Sequence, residues 1–234
     1  MKNYRINFIR HGITQANLDG LYVGRTDHEL CAEGIRQLID LRENCLYPEV
    51  QRVYSSPLSR CVQTAGILYP DQEPIIVEEL TELDFGEFDG KAFEELAGRE
   101  DFQAWMKDAY HNAPTGGETG EEFTFRLLAA LRYIFGQMME EGITVVAVFT
   151  HGGVIMNLMF AMGLPRSQFG QYNAKNGEGF SVVLTPQMWM RDNAFEICGS
   201  IPVPKDFEGG EGWVEDPYHP MPVPGDDLEN WENE

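Results

Sequence analysis

Apolar and polar residues alternate across residues 4–9, where Tyr4, Ile6 and Phe8 are interleaved with Arg5 and Asn7. That period of two predicts a strand entering a core. In residues 30–44 the apolar positions Leu30, Ile35, Leu38 and Leu41 follow helical spacing. Residues 53–55 read as a short strand end. Pro57 then opens a predicted helix over 57–69, placed in the first turn where its missing N–H costs little. Residues 74–77 (PIIV) predict another short strand. Residues 85–117 break the rhythm with glycines and aromatics and predict a small cap insertion, with a helix near 102–110. Residues 118–141 predict a long amphipathic helix.

Residues 143–150 (ITVVAVFT) form a continuous, β-branched apolar run, the mark of a strand buried on both faces. A glycine pair and a helix over 154–163 follow. Residues 180–185 and 195–201 predict two late strands that could pair. Strands alternating with helices predict an α/β fold: a three-layer α/β/α sandwich around a mostly parallel sheet.

The pattern changes near residue 201. From there to 234 the chain has ten acidic residues, one lysine and six prolines. We therefore expect a catalytic domain over 1–200, with the cap at about 85–117, and an acidic, proline-rich tail over 201–234. The length of 234 residues suits one large domain with an appendage. No run approaches 18 apolar residues, and the start lacks an apolar secretory segment, so a cytoplasmic protein with no membrane partner is expected. Cys31, Cys45, Cys61 and Cys198 form no CxxC and are read as free thiols serving as small buried hydrophobes. The formal charge of −21 disfavours nucleic acid. It leaves room for a small anion, because exposed charges are screened beyond about 8 Å at physiological salt.

Candidate chemistry lies where strands end. Ligands of open α/β sheets bind outside the carboxyl ends of the strands. His11 follows the strand at 4–9 and His151 the strand at 143–150, each with a glycine after it that allows a tight turn and a close ligand. Arg60 lies early in the helix after 53–55, and Glu82 follows PIIV. Arg10, His11, Arg60, Glu82 and His151 thus converge on one rim. Two arginines, two histidines and a carboxyl group, with no aspartate cluster for a metal, suit phosphoryl transfer. Arginine grips a dianion bidentately, a neutral imidazole can attack phosphorus, and a carboxyl group can protonate the leaving oxygen. No metal or cofactor is expected.

These elements resemble the histidine phosphatase superfamily, also called phosphoglycerate mutase-like. The family's strand ending in Arg-His-Gly appears as Arg10-His11-Gly12, and its asparagine six residues on as Asn17. Its loop glycine and aspartate match Gly24 and Asp27. Its arginine helix appears as SSPLSRCVQTA (55–65), its acidic segment as LTELDFG (80–86), its GGE-[ST] element as GGET (116–119) and its Thr-His-Gly-Gly as residues 150–153. Arg-His-Gly alone is weak; the ordered set, running from residue 4 to about 200, is specific.

The resemblance implies a phosphoglycerate mutase-like fold and His11 as nucleophile. It implies Glu82 as proton donor, with Asp84 as runner-up. Arg10, Arg60 and His151 become phosphate ligands, joined by Asn17, Gly152 and a backbone N–H of Gly24. Residues 83–117 carry only Lys91, Arg99 and Lys107 as cations, and residues 14–17 (TQAN) lack the tryptophan usual in mutases. Both features favour a phosphatase acting on a small-molecule phosphate monoester. In motif style the chain resembles α-ribazole phosphatases and broad-specificity members, although Ile13 replaces a commonly acidic residue. The alternatives are a cofactor-dependent phosphoglycerate mutase and a non-catalytic anion-binding or partner-binding protein. A homodimer stays open.

Overall fold

A computed structural model of the chain describes residues 2–206. In chain order the elements are β1 (Tyr4–Arg10), α1 (Gln15–Leu18), α2 (Ala32–Asn44), β2 (Cys45–Leu46), β3 (Arg52–Ser55), α3 (Ser59–Leu68) and β4 (Ile75–Ile76). The cap follows, with α4 (Phe93–Leu96) and α5 (Glu100–Lys107). Then come α6 (Gly120–Glu141), β5 (Val145–Thr150), α7 (Gly152–Met162), β6 (Gly163–Leu164), β7 (Gly179–Leu184), α8 (Pro186–Asp192), β8 (Phe195–Ile201) and β9 (Val203–Pro204).

Seven strands form one sheet in the order β4-β3-β5-β1-β7-β8-β6. β4, β3, β5 and β1 are mutually parallel, whereas β7 runs antiparallel to both β1 and β8. The late strands therefore pair. The four parallel strands end at one level: Arg10 lies opposite Thr150, and Ser55 opposite both Phe149 and Ile76.

The strand residues divide between two faces because successive side chains point oppositely. Ile6, Phe8, Tyr54, Val146 and Val148 pack with α6 and α7, while Ile9, Val53, Ala147 and Phe149 pack with α2 and α3. That division is the three-layer sandwich, and it explains the unbroken apolar run of β5. Each fully buried Val, Ile or Phe among them contributes about 1.5–3 kcal/mol. Helix α6 starts at a capping box between Thr119 and Glu122 and stops at Gly142, whose φ of 75° favours glycine.

Three expectations need correction. Pro57 precedes α3 instead of sitting in its first turn; Asp27 accepts from the Ser59 amide at 2.8 Å and the Ser59 hydroxyl at 2.7 Å, so the helix begins there. The cap helix spans 100–107, and Tyr110 is exposed, so only Phe102 and Trp105 join Phe88 and Leu96 in the cap's own core. Of the cysteines only Cys61 is buried, although all four are free.

The start of the acidic segment is part of the fold: β9 pairs antiparallel with β2, and Lys205 donates its amide to the Asn44 carbonyl. The remainder of that segment, 207–234, lies outside the described residues. Among the described residues no helix is long and apolar enough to cross a membrane.

Candidate active site

The shared strand level sets the site. The His11 amide donates to the Thr150 carbonyl at 2.9 Å, and the Ser56 amide to the Phe149 carbonyl at 2.9 Å. β1, β5 and β3 thus deliver Arg10–His11, His151 and the Ser56–Arg60 turn side by side. The rings of His11 and His151 stand edge to face with centroids 5.3 Å apart.

His11 is 5% exposed, and its Nδ1 lies 2.7 Å from the Gly12 carbonyl oxygen. A carbonyl can only accept, so Nδ1 carries the proton and Nε2 keeps its lone pair. Burial pushes its pKa well below the ordinary value of 6.5, and the charge of Arg60 lowers it further. His11 is therefore neutral at neutral pH. His151 is fully buried and shifted the same way, first by burial and then by Arg60. Its Nδ1 accepts from Arg60 Nε at 3.3 Å, and its Nε2 faces the Ser56 hydroxyl at 2.9 Å.

Arg60, 1% exposed, is held without any carboxylate. Nη1 donates to the Thr26 carbonyl at 2.9 Å and Nη2 to the Gly24 carbonyl at 2.8 Å. Arg10 donates from Nη1 to the Ala174 carbonyl at 2.9 Å, and its buried Nε has no protein acceptor. Burial works against its charge, while Glu82 supports it.

Glu82 is 7% exposed, and its carboxyl group reaches the start of α7. Its Oε1 accepts from the Leu83 amide at 2.8 Å and its Oε2 from the Gly153 amide at 2.9 Å. Burial raises its pKa, opposed by those amides and by Arg60 and Arg10. Asp84, the runner-up, is turned elsewhere: its carboxylate accepts from Gly86 and pairs with Arg25.

Asn17 is half-buried beside this group. Its Oδ1 accepts from the Thr14 amide at 3.1 Å and from Asn176 Nδ2 at 3.4 Å, which leaves its own amide hydrogens for a ligand. Gly152 packs against Arg10: a Cβ there would lie 3.2 Å from Arg10 Cζ.

Two glycine roles differ from expectation. The Gly24 amide is committed to Asp89 Oδ1 at 3.1 Å, because Asp89 binds the whole loop through Gly24 and Thr26; Gly24 serves through its carbonyl, which anchors Arg60. Gly12 makes room for α2 and not for a ligand, since a Cβ there would lie 2.6 Å from Leu38 Cδ1.

Asp89, Ser56, Asn176 and Arg126 were not among the residues expected from sequence. Ser56 stands inside the recognisable SSPL run and could have been found there; the others act on backbone or on partners far along the chain.

The arrangement therefore joins two fixed guanidinium groups, two neutral imidazoles and one carboxyl group inclined to hold its proton. Among the described residues no group of three or more His, Cys, Asp or Glu could hold a metal ion. Fold and site together define a phosphate-handling enzyme of the α/β sandwich type.

The family model of the histidine phosphatase superfamily (branch 1) matches residues 6–191, and the chain belongs to that superfamily. It is 32% identical over 178 residues to the adenosylcobalamin/alpha-ribazole phosphatase of Escherichia coli K12, covering 74% of this chain and 86% of that one. It is 25% identical over 185 residues to phosphoserine phosphatase 1 of Hydrogenobacter thermophilus, covering 76% and 85%. The crystal structure of the alpha-ribazole phosphatase from Shigella flexneri superposes with a TM-score of 0.67 at 28% identity, over 78% of this chain and 92% of that one. The activity class that goes with this membership is phosphomonoester hydrolysis, and the mutase alternative has less support.

Proposed function

We propose that the chain hydrolyses a small-molecule phosphomonoester without a metal, through a phosphohistidine on His11. The observation that carries this reading is the pairing of an imidazole kept neutral by burial with a carboxyl group whose hold on its proton burial strengthens, beside two arginines bonded to carbonyls and to no carboxylate.

In the first step His11 Nε2 attacks phosphorus. The N–P bond forms as the bond to the leaving oxygen breaks, and that oxygen takes the Glu82 proton. Arg10, Arg60, His151 and the Asn17 amide bind the phosphoryl oxygens, supplying the charge stabilisation that a metal supplies elsewhere. In the second step water attacks phosphorus and gives a proton to the Glu82 carboxylate. The N–P bond breaks, and phosphate and neutral His11 are released.

For the substrate we favour α-ribazole phosphate. Two relatives carrying that name support it, as do the half-buried rings of Tyr22 and Phe85, which pack edge to face. Phe85 packs directly against Gly24, close to Arg60, so the aromatic base carried by the leaving alcohol would find ring surface beside the phosphate site.

The test is phosphate release from a panel of α-ribazole phosphate, phosphoserine, sugar phosphates and p-nitrophenyl phosphate, with and without EDTA, alongside acid-sensitive trapping of labelled phosphoenzyme. EDTA-insensitive turnover and an acid-labile label lost in His11→Ala are expected. Full turnover by His11→Ala would overturn the scheme. Conversion of 3-phosphoglycerate in the presence of 2,3-bisphosphoglycerate, coupled to enolase, would restore the mutase. No release from any monoester would favour a non-catalytic binder.

A further inference from the structure

Glu82 lies on irregular backbone. Strand β4 is two residues long, a 3₁₀ turn over Glu78–Leu80 follows it, and Glu82 comes two residues after that turn. Amide bonds orient its carboxyl group, but they do not explain what fixes the backbone that carries it. A general acid needs its backbone fixed, because an error of about 1 Å at the reacting atoms can cost on the order of 100-fold in rate.

The support comes from Arg126, on helix α6. Its Nη1 donates to the Glu79 and Thr81 carbonyls, both at 2.7 Å, and its Nη2 to the Glu82 carbonyl at 2.8 Å. Its Nε and Nη2 also donate to Glu118, at 2.9 and 2.5 Å. Guanidinium has five N–H donors in a rigid fork, and all five are used here. Glu118 completes the clamp on the other side of Glu82: Oε1 accepts from the Asp84 amide at 2.8 Å, and the Glu118 amide donates to the Asp84 carbonyl at 3.1 Å. Gly117 permits this approach, since a Cβ there would meet the Asp84 carbonyl oxygen. Arg126 and Glu118 thus hold backbone on both sides of Glu82 against α6. The Phe123 ring lies 4.7 Å from the Arg126 guanidinium carbon and stiffens the fork from below.

We propose that Arg126, backed by Glu118, is a positioning residue that sets the reach of the Glu82 carboxyl group towards the leaving oxygen. This rests on the phosphatase reading with Glu82 as acid. A positioning role differs from a structural one in its substrate dependence. A misplaced acid harms substrates whose leaving oxygen needs a proton and spares those whose leaving group departs as a stable anion.

The experiment compares wild type, Arg126→Lys, Glu118→Gln, Glu82→Gln and Arg126→Lys/Glu82→Gln on p-nitrophenyl phosphate and on an alkyl phosphate, with thermal melting of each. Lysine retains the charge but cannot serve four separate acceptor groups. Arg126→Lys should lose about 10- to 100-fold in kcat on the alkyl phosphate and stay within about 3-fold on p-nitrophenyl phosphate. In the Glu82→Gln background the same change should add less than about 2-fold, since the two residues would act as one unit. Glu118→Gln should show the same selectivity more weakly, and it carries the test if Arg126→Lys does not fold. Equal losses on both substrates, or losses that multiply in the double variant, would overturn the proposal while leaving Glu82 as the acid. A Glu82→Gln variant with no leaving-group selectivity would overturn the acid assignment itself, and this proposal with it.

Discussion

Gly153→Ala should separate the activity of this protein from its stability. Gly153 lies in the first turn of α7, and its amide donates to Glu82 Oε2. A Cβ at this position would stand 2.5 Å from Glu82 Oε1 and 3.0 Å from its carboxyl carbon. Ordinary contact begins near 3.4 Å, so Oε1 must retreat by about 0.9 Å, the difference between 3.4 and 2.5 Å. Displacement of about 1 Å at a reacting group costs on the order of 100-fold, or about 2.7 kcal/mol of barrier. Stability should respond differently. Alanine is favoured over glycine inside a helix by up to about 1 kcal/mol, which offsets the weakening of a carboxyl hydrogen bond of about 0.5–1.5 kcal/mol. The melting temperature should then move by no more than about 4 °C for a chain of this size. The assay is kcat/KM on an alkyl phosphate and on p-nitrophenyl phosphate beside thermal melting. Unchanged turnover of the alkyl phosphate in a folded Gly153→Ala protein would refute the claim that the Glu82 carboxyl group works from this position.

Other expectations come from the charges. The pH profile of kcat/KM should be bell-shaped: activity falls at low pH as His11 takes up a proton, at a pKa well below 6.5, and falls at high pH as Glu82, raised above 4.5, loses its proton. A single rising limb would contradict the acid role. Arg60→Met removes the largest charge depressing His11, so the low-pH limb should move to higher pH. It also strands the Thr26 and Gly24 carbonyls and His151 Nδ1, at about 1–3 kcal/mol each, so melting should fall steeply. Stability of the ligand-free protein should drop as pH falls below about 6.5. The unfolded chain then protonates His11 and His151 while the folded chain does not, at about 1.4 kcal/mol per pH unit for each histidine until the folded pKa is reached. His11→Asn should remove part of that slope in thermal melts between pH 7 and 5, and an unchanged slope would deny the buried neutral imidazole.

The elements legible in sequence were those with enough length to show a period. β5 could be read because an apolar run buried on both faces has no polar interruptions. α6 showed through its amphipathic face, and its Thr119–Glu122 box is itself a sequence signal. The two-residue strands β2, β4, β6 and β9 are too short to carry a period, and only residues 74–77 stood out, between turn residues. α8 was missed although Thr185 before Pro186 is a readable cap. Within the site, the side chains we propose to bear the chemistry could be named from motif and strand position. The residues that hold them could not, because Arg126, Asn176 and Asp89 act on backbone groups that have no signature in sequence. Glycines were the most easily misread, since an absent side chain can serve a ligand, a helix such as α2 or a guanidinium such as that of Arg10.

The positive site within a chain of charge −21 has a structural cause. A guanidinium is available to a dianion only if no carboxylate already neutralises it. The bonds of Arg60 go to two carbonyls and an imidazole, and the bond of Arg10 to a carbonyl. The acidic residues around them are occupied otherwise. Asp27 accepts from Ser59, Asp89 from Gly24 and Thr26, and Glu118 from Arg126, while Asp84 accepts from Gly86 and forms an ion pair with Arg25. Glu82, whose charge does reach Arg10, is inclined by burial to keep its proton. In its protonated form Glu82 serves twice: it holds the proton for the leaving group, and it leaves the arginines uncompensated until the phosphate arrives. Because one proton produces both effects, substrate affinity and proton donation should fall together as pH rises through the Glu82 titration.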